Sequence, residues 1–292
     1  MTGDEDAERR SGGLLGPADI ASLLASFDLS PRKSLGQNFL ADPNTARRIV
    51  RLAGIGREDR VLEVGPGVGS LTLALAEVGA RVIALETDRH LLPALARALG
   101  DRPDVEVVHA DAMQVDYPAL LGDSTWTMVS NLPYHLAATL VVQLLEDAPQ
   151  ITRMLVMVQR EVGLRLATPP GSAGCGQVSV RVSCHGVARV VGSVPASVFM
   201  PRPNVASVLV EVERHPGGRL SRCSEQLFEL VRAGFGGRRK MLRRSLRPIL
   251  GESTEGLLVA AGVDPCSRAE QLELSTWLDL ADMVLGVPRP PG

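Results

Sequence analysis

The chain has 292 residues, 45% hydrophobic and 22% charged, with a formal net charge of −2. This is the composition of a globular protein long enough for one large or two ordinary domains. No apolar run approaches the roughly 18 residues of a membrane span. The acidic start (Asp4, Glu5, Asp6, Glu8) lacks the apolar core of a signal peptide, so a cytoplasmic protein is expected. Cys175, Cys184, Cys223 and Cys266 are scattered without metal-ligand spacing, which predicts free thiols. The histidines do not cluster either, and no metal site is expected.

Residues 1–16 are polar and Gly-rich and are expected to be disordered. Pro17–Phe27 reads as a short helix, with Ile20, Leu23, Leu24 and Phe27 at helical spacing. A basic and polar loop, Arg32–Leu40, precedes a helix opened by Asp42-Pro43 and running to about Ala53.

From Arg60 the chain alternates. Apolar strands at 61–64, 81–85, 105–108, 126–129 and 151–158 are interleaved with helices at 70–78, 89–99 and 135–145. That alternation predicts βαβ units: an α/β, Rossmann-like parallel sheet with helices on both faces. Gly174–Val191 and Ala206–Val212 read as further edge strands. A turn-rich linker, Glu213–Gly218, marks a boundary, so a catalytic domain is predicted over 17–214 and a small all-helical domain over 215–292.

Three strand ends carry polar chemistry. Glu63-Val64-Gly65-Pro66-Gly67-Val68-Gly69 follows the first strand and opens a helix. The glycines allow a tight turn and close ligand approach. The acid before them suits a ligand bearing an ammonium or sulfonium better than a phosphate, although a lone Gly-rich turn also fits other nucleotides. Glu86 ends the second strand, 21 positions after Gly65, where an acid can accept both ribose hydroxyls. Asp111 ends the third, placed to accept from an adenine amino group with Ala112 or Met113 against the ring. Together these predict S-adenosylmethionine (SAM).

The fourth strand closes on Ser130-Asn131-Leu132-Pro133-Tyr134. An amide acceptor, a rigid proline and an aromatic face are grouped where open α/β sheets bind ligands, a set suited to an amino group on a heteroaromatic ring. An ordinary strand-to-helix turn would use similar residues. Arg232, Arg238, Arg239, Lys240, Arg243, Arg244 and Arg247 form a basic stretch with no intervening acid. It reads as a phosphate-binding patch or as a solvated helix face.

From Ser34 to about Leu280 the chain resembles the ribosomal RNA adenine N6,N6-dimethyltransferase family, in its bacterial small-subunit (16S) branch. The motifs are Gly36-Gln37-Asn38-Phe39-Leu40, Glu63 to Thr72, Asp111-Ala112-Met113, Asn131-Leu132-Pro133-Tyr134, Val194 to Val205 and Phe235 to Leu242. The resemblance implies that Asn38 and Leu40 close over SAM, with Gly65, Gly67, Glu86, Asp111 and Asn131 completing the site. It implies catalysis by Asn131, Leu132, Pro133 and Tyr134, with Phe199 stacking opposite Tyr134, and RNA contacts from Arg238, Arg239, Lys240, Arg243 and Arg244. The implied reaction is methylation of two adjacent adenosines in a hairpin loop near the 3′ end of 16S rRNA, without metal, by a monomer.

Rival readings are the large-subunit (23S) enzyme of macrolide resistance and a ribosome assembly factor. The chain departs from the family pattern at Ser130 (usually Gly), His135 (often Asn), Asn204 (usually Lys) and Ala206 (usually Asp).

Overall fold

The computed structural model describes residues 13–32, 36–133, 136–237 and 240–286. In chain order the elements are α1 Pro17–Ser26, β1 Phe39–Leu40, α2 Pro43–Leu52, β2 Arg60–Val64, α3 Ser70–Glu77, β3 Arg81–Glu86, α4 Leu92–Leu99 and β4 Val105–His109. There follow α5 Tyr117–Leu121, β5 Trp126–Asn131, α6 Ala137–Asp147, β6 Ile151–Gln159, α7 Arg160–Ala167, α8 Gln177–His185, β7 Gly186–Val194, β8 Phe199–Met200 and β9 Ser207–Arg214. The last helices are α9 Glu225–Phe235, α10 Leu242–Ser245, α11 Arg247–Leu250, α12 Thr254–Ala260 and α13 Leu274–Leu285. No described helix is long and apolar enough to cross a membrane.

Seven strands form one sheet in the order β4-β3-β2-β5-β6-β9-β7. β2 pairs in parallel with β3 on one side and β5 on the other, and β3–β4 and β5–β6 are also parallel. The chain steps outward from β2 to β4 and then returns to lay β5 beside β2. That reversal leaves a crevice at the carboxyl ends of β2 and β5, the position where such sheets take ligands. The apolar strands form because both faces are covered: Ile49, Leu71, Leu75, Val82, Leu155 and Phe199 share one continuous buried cluster.

The chain divides into two compact units, residues 1–163 with 190–212, and residues 164–189 with 213–292. The second has its own core, in which Leu227, Phe228, Leu230, Leu246, Leu258 and Trp277 are buried. Residues 1–12 of the tail expected to be disordered lie outside the described residues; Leu14 and Leu15 at its end are half-buried against apolar clusters.

Three expectations are corrected. Gly174–Val191 is not one strand: α8 occupies Gln177–His185 and only then does β7 begin. The alternation of Val178, Val180 and Val182 imitates a strand, but Gly176 N–H donates to Ser179 Oγ at 3.1 Å and that hydroxyl donates to the Arg165 carbonyl at 2.8 Å, capping a helix start. Tertiary packing overrides β propensity here. In the all-helical segment the spacing predicts one helix over Arg238–Leu250, and its described part, 240–250, is not continuous. It holds the single-turn α10 and α11, and Pro248, which has no N–H to donate, sits in the first turn of α11. Cys184 and Cys223 are not free thiols: they form a buried disulfide, Cα–Cα 5.9 Å, bridging 39 positions of sequence. Only the fold brings that pair within bonding reach.

Candidate cofactor and substrate site

The crevice is a cavity of about 270 Å³, lined by Gly36–Leu40, Glu63–Val68, Leu85–Thr87, Ala110–Ala112 and Asn131–Pro133, with Ser70, Leu71, Leu91, Leu136 and Leu140. Each stretch arrives from a strand end or a helix start, which is why residues from five parts of the chain meet.

The Gly-rich turn passes directly under the cavity. Gly67 has φ +59°, and a Cβ there would stand 2.9 Å from the Phe39 ring. Gly65 has φ +72°, and its Cβ would lie 3.6 Å from Pro133, narrowing the passage between the ends of β2 and β5. Both positions favour glycine for their backbone, and Gly67 for space as well. Beyond the last registered β2–β5 pair, the buried Ser130 hydroxyl accepts the Val64 N–H at 2.8 Å. The serine that departs from the family pattern thus adds a tie between the two strands that flank the crevice.

Glu63 and Glu86 are both buried. Glu86 Oε2 accepts the Gly67 N–H at 3.1 Å and Oε1 accepts the Asp88 N–H at 2.8 Å. Burial raises its pKa above the ordinary carboxylate value. Glu63 lies deeper, and burial pushes its carboxyl up to about 8, against a partial offset from Thr72. It therefore holds a proton at neutral pH, and it offers a cation no charge until it ionises. Asp111 is exposed; its carboxylate accepts the Met113 N–H at 2.9 Å and Gln114 Nε2 at 3.2 Å. The buried Tyr117 hydroxyl donates to the Ala112 carbonyl at 2.6 Å and holds this strand end in place.

Asn131 Nδ2 donates to the Asn38 carbonyl at 3.1 Å, so the Oδ1 atom is turned the other way as an acceptor. The Leu132 N–H is tied to the Met157 carbonyl at 3.1 Å, and the Pro133 carbonyl accepts from Leu136 and Ala137 at 3.1 and 3.2 Å. The strand end is rigid around one oriented amide.

Of the residues expected at the site, Asn38, Leu40, Glu63, Gly65, Gly67, Glu86, Asp111, Ala112, Asn131, Leu132 and Pro133 line the cavity. Met113 is not among the lining residues, and its carbonyl is held by Gln143 Nε2 at 3.1 Å. Phe199 is not a lining residue either. Its ring is buried in the core while β8 pairs with β1, Leu40 opposite Phe199, so it supports Leu40 and presents no free stacking face.

Tyr134, His135, Arg238 and Arg239 lie outside the described residues. Of the rest of the basic stretch, Lys240 and Arg244 are exposed, Arg243 lies 3.7 Å from Glu255 and Arg247 lies 2.5 Å from Glu252. Acids from the following turn thus face part of a run that has none within it. Asn204 and Ala206 are exposed. Gln37, Thr87 and Leu91 line the cavity without having been singled out, although Gln37 lay inside a quoted motif and Thr87 follows Glu86 directly. Among the described residues no His, Cys, Asp and Glu group could hold a metal ion.

Residues 29–285 match the family model described as ribosomal RNA adenine dimethylase. The chain belongs to that family. It is 45% identical over 278 residues, 92% of this chain and 98% of the relative, to a protein of Leifsonia xyli named ribosomal RNA small subunit methyltransferase A. A Rhodococcus opacus protein of the same name is 44% identical over 94% of this chain and 96% of its own. Among solved structures, the 23S rRNA methyltransferase ErmE is 27% identical with a TM-score of 0.63, covering 84% of this chain and 98% of its own. A dimethyladenosine transferase from Plasmodium falciparum, 22% identical with a TM-score of 0.67 over 85% of this chain, shares the fold.

Proposed function

We propose that this family member transfers methyl groups from SAM to N6 of two adjacent adenosines near the 3′ end of 16S rRNA, giving N6,N6-dimethyladenosine during small-subunit assembly in the cytoplasm. The observation that carries the reading is the oriented Asn131 amide at the mouth of a cavity whose other strand ends bear Glu86 and Asp111. Identities of 41–45% to several proteins named for the small subunit favour that target over the large subunit, since ErmE stands at 27%.

The cavity residues fit SAM. Gly65 and Gly67 leave the space a Cβ would fill, Glu86 is positioned as an acceptor for ribose hydroxyls, and Asp111 for an adenine amino group. When bound, the cofactor supplies an electrophilic methyl group. The protein's task is then to present a poor nucleophile, because the N6 lone pair of adenine is delocalised into the ring. Asn131 Oδ1 and the Leu132 carbonyl accept the two N6 hydrogens and draw that nitrogen towards tetrahedral geometry. Tyr134 supplies a stacking face for the extruded base, recovering about 1–3 kcal/mol of the few kcal/mol that unstacking costs. Positioning is the main catalytic term, worth up to about 7–11 kcal/mol in well-oriented cases. No strong base is needed, since the proton becomes acidic once nitrogen is alkylated. The monomethyl product keeps one N–H for a second round; after two methyls no N6 hydrogen remains for either acceptor, and turnover stops.

The test is tritiated-methyl transfer from SAM to small subunits that lack the modification, with large subunits and naked RNA alongside. Dimethyladenosine on small subunits alone supports the reading. Label on large-subunit RNA points to the resistance-type reaction, and no label on any of them points to an assembly factor.

A further inference from the structure

Beside the cavity stands a buried charge that the proposed reaction does not use. Asp88 follows Glu86 by two residues, is only 6% exposed and does not line the cavity itself. Its Oδ2 accepts Gln37 Nε2 at 2.9 Å; its Oδ1 accepts the His90 N–H at 3.1 Å and lies 3.5 Å from the Arg32 guanidinium. Its own N–H donates to Glu86 Oε1, whose partner oxygen holds the Gly67 N–H. One connected set therefore joins Gly67, Glu86, Asp88 and Gln37, drawn from three separate stretches of chain. Three of those four line the cavity.

We propose that Asp88 is a positioning residue for cofactor binding, anchoring Arg32 and Gln37 so that Gly36–Leu40 is held against the cavity opposite Glu86. The proposal rests on the SAM reading above. Its chemistry is specific to a carboxylate. Gln37 Oε1 accepts the Arg32 N–H at 2.8 Å, so the amide cannot flip and Nε2 must face Asp88. The His90 N–H and the Arg32 guanidinium are donors as well. Among the described residues the groups hydrogen-bonded to the Asp88 carboxylate are all donors, and its two acceptor oxygens satisfy them. An asparagine of the same shape offers one oxygen and sets its NH₂ against another donor, in a place where water cannot repair the loss. Without the anchor, residues 36–40 must be ordered when the cofactor binds, and that cost appears as weaker binding.

The test uses the full chain, with SAM titrated in the methyl-transfer assay and S-adenosylhomocysteine binding measured by calorimetry. Asp88→Asn is expected to raise KM for SAM and the Kd for S-adenosylhomocysteine about 10-fold, the scale of one lost hydrogen bond to a charged group, with the loss in KM rather than kcat. Because Asp88 is buried, Gln37→Ala provides a second variant outside the core, expected to act in the same direction. The double variant is expected to be no worse than the stronger single, since both remove one shared contact. Unchanged KM in both singles, a loss confined to kcat, or fully multiplicative effects in the double variant would each overturn the anchor. Wild-type protein that fails to bind S-adenosylhomocysteine would instead overturn the cofactor reading beneath it.

Discussion

The side-chain amide of Asn131 donates to the backbone carbonyl of Asn38, 93 positions away, across 3.1 Å. This contact decides which end of the amide is left as an acceptor. It ties the fourth strand of the alternating series to the segment ahead of β1, so the proposed substrate acceptor and one wall of the cavity are linked by a single hydrogen bond.

Asn131→Ala removes the acceptor oxygen and is expected to lower kcat on the order of 100-fold or more, by analogy with removal of one preorganised polar group from an active site. Cofactor affinity is expected to fall only modestly. Single-turnover methyl transfer with separate calorimetry of S-adenosylhomocysteine checks both; near-normal turnover removes Asn131 from catalysis.

Glu63 gives the folded protein a pH signature. Its carboxyl holds a proton up to about pH 8 when folded, against about 4.5 in an open chain. The stability it contributes is full below pH 4.5 and is lost as pH rises towards 8. Relative to wild type, Glu63→Gln is therefore expected to be more stable at pH 8 than at pH 5. Urea midpoints of the two proteins across that range test this, and parallel curves would refute it.

His185 acts in the opposite direction. It is 2% exposed, its two ring nitrogens have no hydrogen-bond partner among the described residues, and burial together with Arg214, Arg219, Arg181 and His215 lowers its pKa to about 4. The unfolded chain takes up a proton near 6.5, so this stability is present above pH 6.5 and lost as pH falls through 4. Replacing His185 with Gln is expected to remove about 1–3 kcal/mol of the loss between those limits, read as the difference in unfolding free energy. A variant that tracks wild type over this range would place the pH dependence elsewhere.

Gly234 sits inside α9, where alanine ordinarily gains about 1 kcal/mol. Here a Cβ would stand 2.6 Å from the Trp277 ring, which is buried and has nowhere to move. Overpacking wins, and Gly234→Ala is expected to destabilise by about 1–3 kcal/mol. Thermal unfolding measures the sign directly.

Reversing Lys240, Arg243 and Arg244 to Glu is expected to weaken RNA binding and flatten its dependence on salt, because each phosphate contact contributes roughly one unit to the salt slope. Filter binding at several salt concentrations gives the slope. An unchanged slope assigns the stretch to a solvated surface.

Much of the sheet was legible because a strand covered on both faces is largely apolar, as Val61–Leu62, Val82–Leu85 and Met154–Val158 are. The candidate site was legible for a related reason: the residues that line it sit at strand ends, immediately after those apolar runs. Where the pattern misled, two periodicities coincided. Val178, Val180 and Val182 alternate like a strand, yet Gly176 and Ser179 cap a helix. Phe199 was legible as an aromatic in a motif, but whether its ring faces a ligand or the core depends on the β1–β8 pairing, which local sequence does not contain.

By itself, the sequence determined the alternating α/β class, the glycines of the turn after β2, the acids at the ends of β2, β3 and β4, and the amide at the end of β5. These follow from local covalent and steric preferences and from the period of apolar residues. Only the tertiary structure decided that Glu63 is buried deeply enough to hold a proton, that Cys184 meets Cys223, and that Asp88 faces three donors. Protonation, cross-linking and hydrogen-bond polarity depend on which distant groups exclude water and which approach within about 3 Å, and no local pattern along the chain encodes those distances.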